Sequence, residues 1–140
     1  AYSGSVEEIG LFATTLKNIE GIYIYVPNSE VWSSRLQNYT RHTERQFRET
    51  IGIGYESDLK KTQKILLNVL EAAPGVKDGD LKPECYIASF GDSAIMVSCR
   101  CWLPADQWMK RTSDLRIEIK EALDKSKIDI PFPQRVLHNK

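Results

Sequence analysis

The sequence predicts an α+β protein in which a short β-rich segment, residues 1–40, precedes an α/β sandwich over residues 41–140. Three observations carry this reading. Apolar residues alternate with polar ones in the first third of the chain and again around residues 44–55, 84–90 and 94–103, as half-buried strands require. Two later stretches, opening near Ser57 and Pro104, instead repeat apolar residues every three or four positions, the spacing of one helix face. The resulting order after residue 41 is strand, helix, strand, strand, helix, strand. That is the split βαβ arrangement of ferredoxin-like folds, with two helices on one face of a mostly antiparallel sheet.

Residues 5–17 read as one strand, because Ile9, Leu11, Ala13 and Thr15 alternate with Glu8, Gly10, Phe12 and Thr14. Gly10 within it marks a bulge or a close contact. Residues 17–21 supply turn formers, and Ile22, Ile24 and Val26 then alternate with Tyr23 and Tyr25 to give a hairpin partner. Pro27 ends that strand, since proline cannot donate to a ladder. Residues 28–34 look like a short helical turn, and Leu36 to Thr40 a further short strand.

The second part opens with a strand from Glu44 to Tyr55. Ser57 is placed to cap the next helix, with Asp58 in its first turn, where a carboxylate complements the helix dipole. That helix buries Leu59, Ile65, Leu66, Val69 and Ala73, and Pro74-Gly75 stops it. Residues 84–90 and 94–103 form a hairpin across Gly91-Asp92-Ser93. Pro104 to Asp106 start a second helix with an apolar stripe of Trp108, Thr112, Leu115, Ile119, Ala122 and Leu123. Ile128 to Ile130 add a last strand. The candidate domain junction is residues 39–43, where the alternation lapses.

Composition narrows the function. Nineteen Lys plus Arg against 19 Asp plus Glu give a formal charge of zero, which disfavours binding to nucleic acid or acidic lipid. No stretch approaches the roughly 18 apolar residues of a membrane span, the purest being residues 22–26. Three cysteines, an odd number, fit a reducing compartment better than a disulfide framework. Cys99 and Cys101 share a strand face with Ile95, Val97 and Leu103, so they read as buried structural thiols; zinc would want four ligands in paired knuckles. His42 and His138 belong to no metal spacing. No nucleotide-binding, nucleophile-elbow or metalloprotease motif occurs. Asp58 and Asp92 are explained by a cap and a turn, and no enzyme, cofactor or metal is expected. Charges of both signs interleaved between Lys110 and Lys127 read as a solvated helix face. Trp32, Trp102 and Trp108 read as core or interface anchors.

Several landmarks follow one another along the chain: residues 4–16, Val26-Pro27-Asn28, residues 36–39, residues 54–59, Phe90-Gly91-Asp92-Ser93, Cys101-Trp102, Ile119-Lys120 and residues 130–134, Ile-Pro-Phe-Pro-Gln. In this order they resemble the cytosolic C-terminal region of the small-conductance mechanosensitive channels. The resemblance implies that residues 1–40 are the later part of a small Sm-like β-domain and residues 41–140 the ferredoxin-like domain behind it. It further implies an excised fragment of a longer subunit whose membrane helices lie elsewhere. Such a subunit would sit in the inner membrane as one of seven copies, its cytosolic part walling a hollow vestibule with side portals. The activity implied is tension-gated passage of ions and small solutes on hypo-osmotic shock. By position, Arg41, His42 and Thr43 would fall on a portal rim, where members carry an acidic side chain near the place of His42. A ring of charge there would bias permeation, and an imidazole would make the bias pH-dependent. The rival expectation is a free-standing ferredoxin-like ligand- or RNA-binding module, which the zero charge and the lack of an RNP1-type aromatic motif weaken.

Overall fold

A computed structural model describes residues 2–133, so Ala1, Gln134 of the last landmark and His138 lie outside the described residues. The chain forms two compact units, residues 1–38 and 39–140.

Unit 1 is a three-stranded antiparallel sheet of β1 (Ser5–Ile9), β2 (Ala13–Lys17) and β3 (Tyr23–Pro27) in that order, followed by the short helix α1 (Asn28–Ser33). The single strand expected over residues 5–17 is instead a hairpin, turning at Gly10, whose amide donates to the Ala13 carbonyl at 2.9 Å. Asn28 holds that turn from a distance in sequence. Its side-chain nitrogen donates to the carbonyls of Gly10 and Leu11, its oxygen accepts from the Thr14 hydroxyl, and its backbone amide donates to Phe12. Every polar group of the turn that faces Asn28 is thereby satisfied without a ladder. Gly4 is needed where the chain runs against Lys17: a Cβ there would sit 2.5 Å from the Lys17 carbonyl oxygen. The strand expected at Leu36 to Thr40 does not form; residues 34–43 are bends and coil.

Unit 2 is a three-stranded antiparallel sheet of β4 (Glu44–Ile53), β5 (Glu84–Phe90) and β6 (Ile95–Pro104), ordered β4-β6-β5, with α2 (Leu59–Ala72) and α3 (Trp108–Lys125) packed against it. The fourth strand expected at Ile128 to Ile130 is absent as a ladder. A single bond from the Gly54 amide to the Asp129 carbonyl, 3.0 Å, lays that segment beside the end of β4, and Ile128 is buried. This is the place a ferredoxin-like fold gives its fourth strand, so the split βαβ order holds with that strand reduced to one contact.

The core has β6 at its centre. Val97, Cys99, Cys101 and Leu103 face inward and meet Phe47 and Ile53 of β4, Leu66 and Leu70 of α2, and Leu115, Ile119 and Leu123 of α3. The buried line of α2 runs Thr62, Leu66, Leu70, rather than through Ile65 and Val69, which are only partly covered. Thr62 is tolerated in the core because its hydroxyl donates back to the Asp58 carbonyl. The cap of α2 is Asp58, one residue later than expected, its carboxylate accepting from the Lys61 amide at 3.1 Å. α3 starts at Trp108, not Pro104, because Gln107 takes a left-handed conformation, φ 50°, that breaks helical continuity. Gly75 ends α2 with φ 80°, and a Cβ on it would meet Pro104 at 2.6 Å, so only glycine fits.

Leu70 is fully buried. Leu70→Ala should therefore lower the stability of unit 2 by about 2–5 kcal/mol, read from its transition in a denaturant titration.

Candidate functional site

The three residues expected on a portal rim, Arg41, His42 and Thr43, form an exposed bend that leads into β4. Four features of unit 2 fix the bend. The Thr43 carbonyl accepts from the Ala105 amide at 2.8 Å, extending the β4–β6 pairing by one step. Glu44, the first residue of β4, makes an ion pair with Lys77 at 3.1 Å. Lys77 is itself anchored, its amide donating to the Trp102 carbonyl. Behind the bend, the Arg45 guanidinium lies between two aromatic rings, 4.8 Å from the centre of Tyr39 and 4.3 Å from that of Trp108. The stack joins the start of unit 2, the second residue of β4 and the first residue of α3.

The electrostatics of the bend follow from these neighbours. A hydrogen bond from Thr43 and another from Lys77, with the positive charges of Lys77 and His42, hold the Glu44 carboxyl below its ordinary range. Lys77 and His42 thus act on the Glu44 carboxylate, while Arg41 lies in the same exposed bend and Arg45 stacks behind it. Only Arg41, His42 and Thr43 of this set were legible from sequence. Glu44 and Arg45 belong to β4, Lys77 to the loop after α2 and Trp108 to α3, and no spacing rule joins them.

The other residues singled out in the sequence fall into place as follows. Cys99 and Cys101 are buried in the core face of β6, and burial pushes the Cys101 thiol up to about 12. Asp92 lies in the β5–β6 turn; there the neighbouring Gly91 carbonyl accepts from the Tyr55 hydroxyl at 2.5 Å. Some of the charges of α3 are tied into pairs, Lys120 with Asp124 along the helix and Arg116 with Glu49 of β4. Trp102 and Trp108 are half-buried, whereas Trp32 on α1 is almost fully exposed. Among the described residues no cluster of three or more His, Cys, Asp or Glu is arranged to hold a metal, and no helix is long and apolar enough to cross a membrane. Unit 1 also has a groove of about 460 Å³ lined by Val6, Leu16, Val26, Val31 and Leu36, with Glu30 and Arg35 at its polar side.

Comparison with known proteins bears on the family and the fold. Residues 48–130 match the family model "Mechanosensitive ion channel MscS, C-terminal", and residues 1–41 match "Mechanosensitive ion channel, beta-domain". An MscS family protein of Archaeoglobus fulgidus is 33% identical over 96% of this chain and 47% of its own length. The small-conductance mechanosensitive channel of Edwardsiella ictaluri is 29% identical over 97% of this chain and 47% of that protein. The chain therefore spans about half the length of such relatives. Among solved structures, Helicobacter pylori MscS in its closed state superposes with a TM-score of 0.89 at 29% identity, covering 98% of this chain and 54% of that one. Arabidopsis thaliana MSL1 shares the fold at a TM-score of 0.76 and 23% identity, over 93% of this chain and 49% of that one.

Two outcomes test the geometry of the bend. Arg45→Ala should lower stability by about 1–2 kcal/mol, and Arg45→Lys should recover only part of it, because an ammonium cannot stack its plane between two rings; thermal unfolding of both variants reads this. Glu44 has a depressed folded-state pKa. Its contribution is thus present above the ordinary carboxylate pKa and lost as pH falls through the folded value. The stability gap between the parent chain and Glu44→Gln, clear at neutral pH, should close on acidification.

Proposed function

The chain belongs to the MscS family of mechanosensitive ion channels, and from that premise we propose that it is part of the cytosolic wall of a tension-gated channel. The observation that carries this reading is the succession of the family's β-domain and C-terminal region along one short chain, in family order and with nothing of another kind between them. The full subunit would assemble as a ring of seven copies in the inner membrane, with this part hanging on the cytoplasmic side. Membrane tension would open the pore because the open state occupies more bilayer area. Ions and small solutes would then leave the cell on hypo-osmotic shock, after passing the portals of the vestibule.

Residues 1–40 would serve in this assembly as the β-domain part and residues 41–140 as the vestibule wall. Arg41, His42 and Thr43 would stand on the portal rim. The bend carries Arg41 and Lys77 against the one carboxylate Glu44, and repeated around a symmetric opening this charge would favour anions. The stack on Arg45 suits the role, since a rim that filters solutes by charge needs side chains held at fixed positions.

The full-length subunit, reconstituted in liposomes, should give stretch-activated currents in excised patches; silence up to the tension that ruptures the patch would overturn the channel assignment. In the same patches under asymmetric salt, His42→Glu should move the reversal potential toward cations. An unchanged reversal potential would remove the bend from the permeation path and leave the channel assignment intact.

A further inference from the structure

The three cysteines are not equivalent in their partners. Cys85 of β5 lies directly opposite Cys99 of β6 in the antiparallel register. The two sulfurs are 2.9 Å apart and both are free thiols. Cys99 is fully buried, whereas Cys85 sits on the edge strand and is partly open to solvent. The third thiol, Cys101, is two residues along β6 from Cys99, about 7 Å by strand rise, which is at the limit of disulfide reach. Directly opposed residues of an antiparallel pair bring their Cβ atoms to about 4.5–5.5 Å, close to the roughly 3.5–4.5 Å a disulfide needs.

We propose that Cys85 and Cys99 are a reversible dithiol–disulfide pair, oxidised by small disulfides, which when closed pins the edge strand β5 to the central strand β6. The accessible member acts first. The Cys85 sulfur, having lost its proton to solvent, attacks one sulfur of an oxidised small thiol such as glutathione disulfide and releases one reduced thiolate. Cys99 then loses its proton and attacks the Cys85 sulfur of the mixed disulfide, expelling the second thiolate. Two protein thiols and one small disulfide become one protein disulfide and two small thiols, so electrons and protons balance. Cys85 also donates its thiol hydrogen to Cys99 in the reduced state, which keeps the two sulfurs aligned for the second step. The Gln63 amide nitrogen of α2 donates to the Cys85 carbonyl at 3.2 Å and fixes the backbone on which the first step takes place. The hydrogen bond to Cys99, and then burial, raise the Cys85 pKa, which makes the exchange slow and leaves it to sustained oxidising conditions.

The sequence makes the product easy to read. Trypsin cuts after Lys77 and Arg100 but not after Lys82, which precedes Pro83, so Cys85 and Cys99 share the fragment 78–100 while Cys101 lies in 101–110. The full-length subunit is treated with glutathione disulfide, denatured, alkylated with iodoacetamide and digested. The expected result is a fragment 78–100 lighter by two hydrogens and carrying no alkyl group, with 101–110 alkylated, the change being reversed by dithiothreitol. Cys101→Ser should keep the bond, and Cys85→Ser should abolish it and leave Cys99 alkylated. Amide exchange along β5 should slow on oxidation. Two alkyl groups on fragment 78–100 after treatment, glutathione retained on Cys85, or a link to fragment 101–110 would each overturn the proposal.

Discussion

Unit 2 depends on burying one face of a sheet whose central strand, β6, is flanked on both sides. Val97, Cys99, Cys101 and Leu103 occupy alternate positions on that strand, and all four are almost completely shielded from solvent. A strand paired on both edges has every backbone polar group satisfied, so its side chains need contribute only packing. The helices are then placed by what β6 presents. α2 lays Thr62, Leu66 and Leu70 on it, and α3 lays Leu115, Ile119 and Leu123. The small volume of the two cysteines in the middle of the strand leaves room for Phe47, directly opposite Cys101, and for the leucines of both helices.

The same strand reaches the candidate rim. Its last residues pair with the first residues of β4, Leu103 with Arg45 and Pro104 with Glu44, and Ala105 continues the pairing to Thr43. The backbone at the bend is therefore held by the far end of the element that organises the core. Trp108 adds a second hold, because the residue that begins α3 is also one wall of the stack on Arg45. A charge on the bend is consequently supported by a rigid scaffold, the condition under which a charge repeated around a pore produces a defined field.

Period and punctuation made most of unit 2 legible in the sequence. β4, β5 and β6 and the α2 stop at Pro74-Gly75 lie where alternation and breaker residues put them. The differences have long-range causes. Nothing local tells that residues 5–17 must fold back at Gly10, since the groups that satisfy the turn belong to Asn28. Leu70 is outside the face that spacing assigned to α2, because the position of β6 decides which line of the helix is covered. At residues 128–130 a single bond from Gly54 to Asp129 stands where a ladder was expected. Of the candidate site, the family resemblance pointed to residues 41–43 by position alone. The ion pair and the aromatic stack could not, for their members are brought together only by the finished sheet.

Asn28 has a chemical lifetime as well as a geometry. Its side-chain nitrogen is the donor to two carbonyls of the β1–β2 turn. Slow hydrolysis of that amide would replace the nitrogen by an oxygen of nearly identical shape but without a hydrogen, aiming a negative charge at two acceptors. The hairpin would then be pushed open by the very residue that closed it, and unit 1 would age at the pace of one side chain.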